Sequence, residues 1–403
     1  MKQALPFRNL YIGITQILQS VFEQNRYTDK EIERTFKQNK QWGSRDRAFV
    51  AETVYDIVRW KSLIDYASNA ALKRKDYWSL IATYFIINNV EIPQLEEFGR
   101  YNIDKIKSNY LKAKKIPNVW YSVSPNLYKL GVEQLGEESW NQELDAMNQP
   151  APPILRLNTL KANEKMLRKS LAEAEVEIEA IPDYPDAYLL VNQKNLFQTE
   201  AFKNGWFEMQ DASSQLVAPF LELSPGMRVV DTCAGGGGKS LHMAALLQNK
   251  GSVLAMDIVP WKLKEVKKRA KRNAAFNIQT KIIESSKTIK RLHNSFDRVL
   301  IDAPCTGVGV LKRNPDAKWK INQDFLQRVT SEQTKILASY PKMLKKGGLM
   351  VYATCSIFPA ENEKQIQRFL VENPNFELIE EKKILPSQSG FDGFYMAKLV
   401  RKD

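Results

Sequence analysis

The chain has 403 residues, 43% hydrophobic and 26% charged, which is typical of a globular protein too long for one average domain. It carries 59 lysines and arginines against 46 aspartates and glutamates, a formal net charge of +13. Such a balance suits a polyanionic partner, because phosphate contacts dominate affinity for nucleic acids. The longest uncharged apolar run, at residues 81–90, is far too short to span a bilayer.

The cysteine and histidine content predicts a metal-free protein of the cytoplasm. Three cysteines without regular spacing, and no basic-then-apolar leader in residues 1–6, indicate a reducing compartment. A zinc site is not expected, because the chain has only two histidines and no CxxC motif. A monomer is the default expectation for its oligomeric state.

Residues 1–150 are predicted to form an all-α domain, since helical apolar periodicity recurs at 10–22, 45–63 and 78–87. The proline-containing segment 148–153 then reads as a linker.

Residues 151–205 predict a small α+β module. Strand-like segments lie at 154–158, 176–181 and 187–191, and a helical segment lies at 163–174.

Residues 206–403 alternate between strands and helices, which predicts βαβ units around a mainly parallel sheet. The strand-like runs are 227–232, 252–256, 280–283, 298–301 and 348–353, and an alternating segment at 393–401 is expected to add an antiparallel edge strand.

Residues 250–291 contain 12 basic and 3 acidic residues. Much of this cluster lies on a predicted helix at 260–272, which we interpret as an ordinary solvated helix with Leu263, Val266 and Ala270 on its buried face.

A glycine-rich loop joins the first strand of this region to the helix that starts near Leu241. Its residues 233–240 read Cys-Ala-Gly-Gly-Gly-Gly-Lys-Ser, which lets the backbone approach a ligand closely. A P-loop is excluded, because Cys233 stands where that motif requires glycine. Asp257 ends the next strand, 22 residues after Gly235, where an acid binds ribose hydroxyls in nucleoside cofactors. The loop alone permits either NAD or S-adenosylmethionine, and Asp257 has the alternative role of a helix-start acid before Pro260.

Two cysteines follow strand-like runs, Cys305 after 298–301 and Cys355 after 348–353. The carboxyl ends of parallel strands meet at one edge, so the two thiols are expected to share a site; the alternative is that each is a small buried side chain. A thiolate that adds to C6 of a pyrimidine activates C5 for methylation. Asp302 is placed to hydrogen-bond the base, and a helix start predicted at 359–364 favours a Cys355 thiolate.

These segments together resemble the RNA 5-methylcytosine methyltransferase (Nop/Sun) family. The motifs that carry the resemblance are residues 302–307 (Asp-Ala-Pro-Cys-Thr-Gly), 313–319 (Arg-Asn-Pro-Asp-Ala-Lys-Trp), 353–356 (Ala-Thr-Cys-Ser), 361–362 (Glu-Asn) and 233–239. Residues 155–158 and 209–215 extend it upstream, and 44–49 and 54–60 are similar to the NusB-like domain of bacterial small-subunit rRNA methyltransferases.

The resemblance implies a Rossmann-like methyltransferase domain, an RRM-like small module and a NusB-like RNA-binding domain. It further implies S-adenosylmethionine as cofactor and cytosine in RNA, ribosomal above all, as substrate. Cys355 would attack C6 and Cys305 would assist release of the product. The implied catalytic residues are Cys355, Cys305, Asp302 and Lys239; the implied cofactor-binding residues are Cys233, Ala234, Gly235, Gly236, Gly237, Gly238, Lys239, Asp257, Ser285 and Asp302; and the implied substrate-binding residues are Arg313, Pro315, Asp316 and Trp319.

The chain departs from the family pattern at two positions. Gly236 stands where the family usually has proline, and no acid is obvious after the third strand, where Ser285, Ser286 or Glu284 would contact adenine. Transfer RNA is an alternative substrate. A non-catalytic RNA-binding or ribosome-assembly factor would need neither cysteine, and an NAD-dependent oxidoreductase would leave both cysteine motifs unexplained.

Overall fold

A computed structural model describes residues 7–69, 76–192 and 195–402. The chain divides into two compact units: Met1–Gln149 with Leu311–Gln323, and Pro150–Val310 with Asp324–Asp403. Residues 1–6, on which the expected lack of a leader rests, lie outside the described residues. In the described ranges, no helix is long and apolar enough to cross a membrane.

The first unit is helical, as its apolar periodicity predicts. Its helices are α1 (Arg8–Glu23), α2 (Thr28–Gln38), α3 (Ser44–Arg59), α4 (Lys61–Ser68), α5 (Tyr77–Ile87), α6 (Ile103–Ala113), α7 (Pro117–Trp120), α8 (Pro125–Leu135) and α9 (Glu137–Met147). Buried faces of α1, α3 and α5 form one core around Tyr11, whose ring meets Phe85 and Phe98 edge to face.

Residues 311–323 pack within this helical unit, although they are remote from it in sequence. The Trp319 indole donates a hydrogen bond to the Val58 carbonyl (3.0 Å), and the fully buried Lys318 ammonium donates to the Arg59 carbonyl (3.1 Å). Arg59 in turn donates to the Lys312 carbonyl (3.0 Å). The predicted boundaries, which left residues 206–403 uninterrupted, did not anticipate this segment.

The second unit begins with a small antiparallel sheet. Its elements are β1 (Ile154–Leu157), α10 (Glu164–Glu173), β2 (Ile178–Ala180), β3 (Ala187–Leu190), α11 (Glu200–Lys203), β4 (Phe207–Met209) and α12 (Ala212–Gln215). The strand order is β2-β3-β1-β4. The module therefore extends past residue 205 to include β4, a strand too short for its periodicity to reveal.

A larger sheet forms the rest of this unit. Its elements are β5 (Arg228–Asp231), α13 (Gly238–Leu246), β6 (Ser252–Asp257), α14 (Pro260–Arg272), β7 (Ile278–Ile282), α15 (Ser286–Lys290), β8 (Phe296–Asp302), α16 (Gln323–Ser339), β9 (Leu344–Thr354), α17 (Glu363–Glu372), β10 (Phe376–Ile384), α18 (Pro386–Ser389) and β11 (Phe394–Arg401).

In the described residues this sheet has seven strands in the order β10-β11-β9-β8-β5-β6-β7, which confirms the Rossmann-like α/β class. Strands β5 to β9 pair in parallel. β11 is antiparallel as predicted, but it is not an edge strand, because it lies between β9 and β10. The unpredicted β10 occupies that edge.

The basic helix α14 packs as expected and also anchors the small sheet. Its residues Leu263, Val266 and Ala270 are buried, as predicted for its inner face. On its other side, Glu208 of β4 is 3% exposed and accepts hydrogen bonds from Arg269 (2.9 Å) and Arg272. Burial alone would raise the pKa of Glu208, but the two guanidinium groups outweigh burial and the pKa is lowered.

We expect Glu208→Gln to destabilise the fold by roughly 3 kcal/mol at neutral pH, because two guanidinium groups lose a buried partner. The ionised carboxylate contributes its stability above the ordinary carboxyl pKa, and this contribution is lost as pH falls through the lowered pKa of Glu208. The difference in melting temperature between variant and wild type should therefore shrink in acid. Glu265→Gln is the matched control, because Glu265 is a half-exposed acid on α14, the helix that carries Arg269 and Arg272. A pH-independent difference would contradict this account.

Candidate active site

The site lies at the carboxyl ends of the parallel strands β5, β6, β8 and β9. In the register of β8 and β9, Asp302 pairs with Ala353. Cys305 follows Asp302 by three residues and Cys355 follows Ala353 by two. Neighbouring parallel strands deliver their following loops to the same edge of the sheet, so the register itself brings the two cysteines together.

The two sulfurs are in contact, as the sequence predicted. The Sγ atoms of Cys305 and Cys355 are 3.2 Å apart, and both residues are half-buried free thiols. The hydrogen bond with Cys355, then burial, and also the nearby charge of Glu361 raise the pKa of the Cys305 thiol well above its ordinary value. The Cys305 thiol therefore holds its proton more firmly than a free cysteine does, and either sulfur can be the donor in this contact.

A charged pair lies beside the cysteines. Lys239 Nζ donates a hydrogen bond of 2.7 Å to Asp302 Oδ2 and lies 5.0 Å from the centre of the Phe394 ring. Burial alone would lower the pKa of Lys239, but the charge of Asp302 and the hydrogen bond to it more than offset burial, and the pKa is raised. The ammonium therefore stays charged, and the pair offers both a donor and an acceptor to a polar ring.

The glycine loop turns sharply between β5 and α13. Gly235 and Gly237 have positive φ angles, 54° and 86°. Two carbonyls of the loop are held by guanidinium groups: Gly236 accepts from Arg269 (2.6 Å) and Gly238 from Arg156 (2.9 Å). Cys233, which is half-buried and packs against the core, precedes this turn, and burial raises the pKa of its thiol.

Asp257 closes the loop from the next strand. Its carboxylate, 6% exposed, accepts hydrogen bonds from the backbone N–H of Gly235 (3.0 Å) and of Val259 (2.8 Å). It thus caps the turn before α14, the alternative role considered for it, while also joining β6 to the glycine loop. A carboxylate has further lone pairs beyond these two bonds and can still accept from ribose hydroxyls.

A cavity of about 820 Å³ continues from the end of β6. Ile258, which follows Asp257, lines it together with the end of β7 and one face of α16. Glu284, Ser285 and Ser286, the three candidates for adenine contact, all line this cavity. The residues fit S-adenosylmethionine: bare glycine backbone, a buried carboxylate, and a cavity with apolar walls and polar groups.

Two predicted features differ in the structure. The helix expected from residue 359 begins with a 3-10 turn at Pro359–Glu361, and the α-helix starts only at Glu363. The predicted substrate loop at 313–319 lies in the helical unit: Pro315 and Asp316 are buried, Arg313 is half-buried and Trp319 bonds to Val58. Binding of substrate by this loop stays a prediction.

Arg156 and Glu361 lie in the motifs described above, but the sequence analysis predicted no role for either. Arg156 is fully buried and bonds to Gln210 as well as to the glycine loop. Glu361 is fully buried between the loops that carry the two cysteines. Two features of the sequence could have indicated these residues. One is a charged residue within an apolar strand at 154–157, and the other is an acid that follows the Cys355 motif.

A Rossmann-like sheet with a glycine loop and an acid ending its second strand defines the class of proteins that bind a nucleoside-containing cofactor at this edge, and the comparisons identify the methyltransferases within it. Residues 218–400 match the family described as 16S rRNA methyltransferase RsmB/F, and residues 127–196 match the RsmF/B-like ferredoxin-like domain. Ribosomal RNA small subunit methyltransferase B of Yersinia pseudotuberculosis is 32% identical over 327 residues, covering 79% of this chain and 73% of that protein.

Solved structures agree with this class. The crystal structure of a methyltransferase homologue from Pyrococcus horikoshii has a TM-score of 0.63 and 28% identity over 71% of this chain and 98% of its own. The crystal structure of PH0851 shares the fold over the whole of both chains, with a TM-score of 0.80 and 24% identity. The chain belongs to the RsmB/F family. It is an RNA methyltransferase, and its cofactor is S-adenosylmethionine.

We expect Gly237→Ala to weaken S-adenosylmethionine binding by at least about ten-fold, because a side chain at this left-handed position costs roughly 1–2 kcal/mol. Its Cβ would also lie 3.0 Å from Val266 Cγ2. Isothermal titration calorimetry measures the dissociation constant. Gly236→Ala is the control, since its Cβ would meet only the tip of Arg269, at 3.2 Å. Equal losses at both positions would refute the backbone argument.

Proposed function

We propose that this protein methylates C5 of a cytosine in small-subunit ribosomal RNA through a covalent adduct between Cys355 and C6 of the base. The 3.2 Å contact between Cys305 and Cys355, beside the Asp302–Lys239 pair, is the observation that carries the proposal. Binding RNA would require neither thiol. The family match and the relative named for small-subunit rRNA support the substrate.

The first step makes C5 nucleophilic. The Cys355 thiolate forms a bond to C6, and the electrons of the C5–C6 double bond move to C5 and into the ring. Asp302 and Lys239 would hydrogen-bond N3, the exocyclic amine and the carbonyl edge of the base as charge develops there. Bound S-adenosylmethionine supplies an electrophilic methyl group. The cytosine must leave its stack for Cys355 to reach C6.

The second step releases the product. Loss of the C5 proton to a base restores the C5–C6 double bond, the bond between C6 and sulfur breaks, and Cys355 departs as a thiolate. We assign Cys305 to this step, because its neutral thiol lies within hydrogen-bonding distance of the departing sulfur. A proton shared with that sulfur makes it a better leaving group.

The remaining site residues are assigned on the same basis. The backbone of residues 233–238 and Lys239 would hold the cofactor, Asp257 its ribose and Ser285 its adenine, which the cavity at the ends of β6 and β7 supports. We propose that residues 1–150 and 151–205 bind RNA. Arg313, Pro315, Asp316 and Trp319 would shape the substrate loop, on the family resemblance.

We further propose that the enzyme works in the cytoplasm as a monomer and without metal. A reducing compartment keeps all three free cysteines reduced, as the mechanism requires. One chain carries the glycine loop, the carboxylates and both reacting thiols, so the chemistry calls for no second copy.

The two cysteine variants should fail in opposite ways. Cys355→Ser should lower methyl transfer to small-subunit rRNA by roughly a thousand-fold or more, because the attacking group is gone. Cys305→Ser should still form the adduct but release it slowly. Transfer from radiolabelled S-adenosylmethionine measures turnover, denaturing gels detect the protein–RNA adduct, and bisulfite sequencing locates the modified cytosine.

Each variant is the control for the other, since both replace one sulfur by oxygen in the same site. Full turnover by Cys355→Ser would show that Cys355 is not the nucleophile. An adduct formed by Cys355→Ser and not by Cys305→Ser would exchange the two roles.

A further inference from the structure

Glu361 lies outside the reacting groups yet is bonded to both cysteine loops. Its side chain is fully buried. It accepts hydrogen bonds from the Thr306 backbone N–H (2.7 Å), the Thr306 hydroxyl (2.6 Å) and the Ser356 hydroxyl (2.5 Å). Thr306 follows Cys305 and Ser356 follows Cys355, so one carboxylate ties together the residues next to the two sulfurs.

The neighbouring amide side chains do not duplicate this link. Gln333 of α16 donates to Glu361 (3.3 Å) and to the Pro304 carbonyl (2.9 Å), both bonds bracing the Cys305 loop. Asn362 accepts from the Thr354 hydroxyl (2.5 Å) and donates to the Ser356 carbonyl (2.9 Å), so its bonds brace only the Cys355 loop. The Gly309 backbone N–H also donates to the Cys355 carbonyl (3.0 Å), so the backbone joins the two loops as well. Apart from the contact between the two sulfurs, the side-chain hydrogen bonds described here that join the loops are those of Glu361.

Burying the carboxyl group of Glu361 costs free energy that a side chain with only a packing role would not incur. Burial raises the pKa of Glu361, against the lowering effect of its hydrogen bonds from Ser356 and Thr306. A buried carboxyl is retained at little penalty only where several donors satisfy it. Here the donors belong to two loops that leave different strands, so the network fixes one loop relative to the other.

We propose that Glu361 is a positioning residue that holds Cys305 against Cys355, so that removal of Cys355 from the methylated base follows its attack. The inference rests on the covalent mechanism proposed above. Glu361 acts through Thr306 and Ser356, one on each side of the sulfur pair. Its loss should leave Cys355 able to attack and Cys305 badly placed to assist release.

Glu361→Gln keeps the shape and removes the charge. We expect kcat to fall at least ten-fold, KM for RNA and for S-adenosylmethionine to stay within about two-fold, and a denaturant-resistant protein–RNA adduct to accumulate as in Cys305→Ser. Glu372→Gln, at an exposed acid on α17, should behave as wild type. The double variant Glu361→Gln/Cys305→Ser should trap no more adduct than Cys305→Ser alone, because both act at one step.

A purely structural role would give a different result: a lower melting temperature with parallel loss of adduct formation and turnover. That result, or wild-type kcat, would overturn the proposal. If Glu361→Gln does not fold, Thr306→Val tests the same link from the Cys305 side and should also accumulate adduct. If neither Cys305→Ser nor Cys355→Ser traps adduct, the covalent mechanism itself fails; if Cys305→Ser traps adduct while Glu361→Gln and Thr306→Val release normally, only the role of Glu361 fails.

Discussion

The register between β8 and β9 is the constraint on which the site depends. Asp302 and Ala353 are paired in adjacent parallel strands, so the chain leaves both strands at the same level. The loops that follow carry one cysteine each, and the sulfurs meet at 3.2 Å although 50 residues separate them in sequence. The same edge receives the glycine loop from β5 and Asp257 from β6. The glycine loop, Asp257 and both thiols therefore lie at one edge of the sheet.

Strand ends alone do not fix a side chain to within an ångström, because the loops beyond them expose backbone groups that need partners. Buried and half-buried side chains supply these partners. Arg156 and Arg269 hold carbonyls of the glycine loop, while Gln333 and Glu361 hold the loop after β8. The site is thus preorganised by polar and charged side chains, most of them fully buried, which makes each of these bonds stronger and its loss costlier.

The parallel sheet was predictable because its central strands are largely buried and contain continuous apolar runs. β10 was not, since residues 376–384 read Phe-Glu-Leu-Ile-Glu-Glu-Lys-Lys-Ile and only Phe376 and Ile384 are buried. An edge strand is held by backbone pairing on one side and leaves its charged side chains in water. Residues 311–323 show the same limit: hydrogen bonds to Val58 and Arg59, formed across more than 250 positions, leave no periodic trace in the sequence.

For the site, residue types were predictable and their partners were not. The motifs identify Lys239, Asp302 and both cysteines, but not that Lys239 bonds to Asp302 or that Glu361 meets Thr306 and Ser356. These partners also bear on the different roles proposed for the two sulfurs. Contact with Cys355, burial and the charge of Glu361 keep the pKa of Cys305 high, so its sulfur retains its proton. Under the proposed mechanism, the carboxylate that links the two loops thereby also favours a protonated Cys305, the thiol assigned to release.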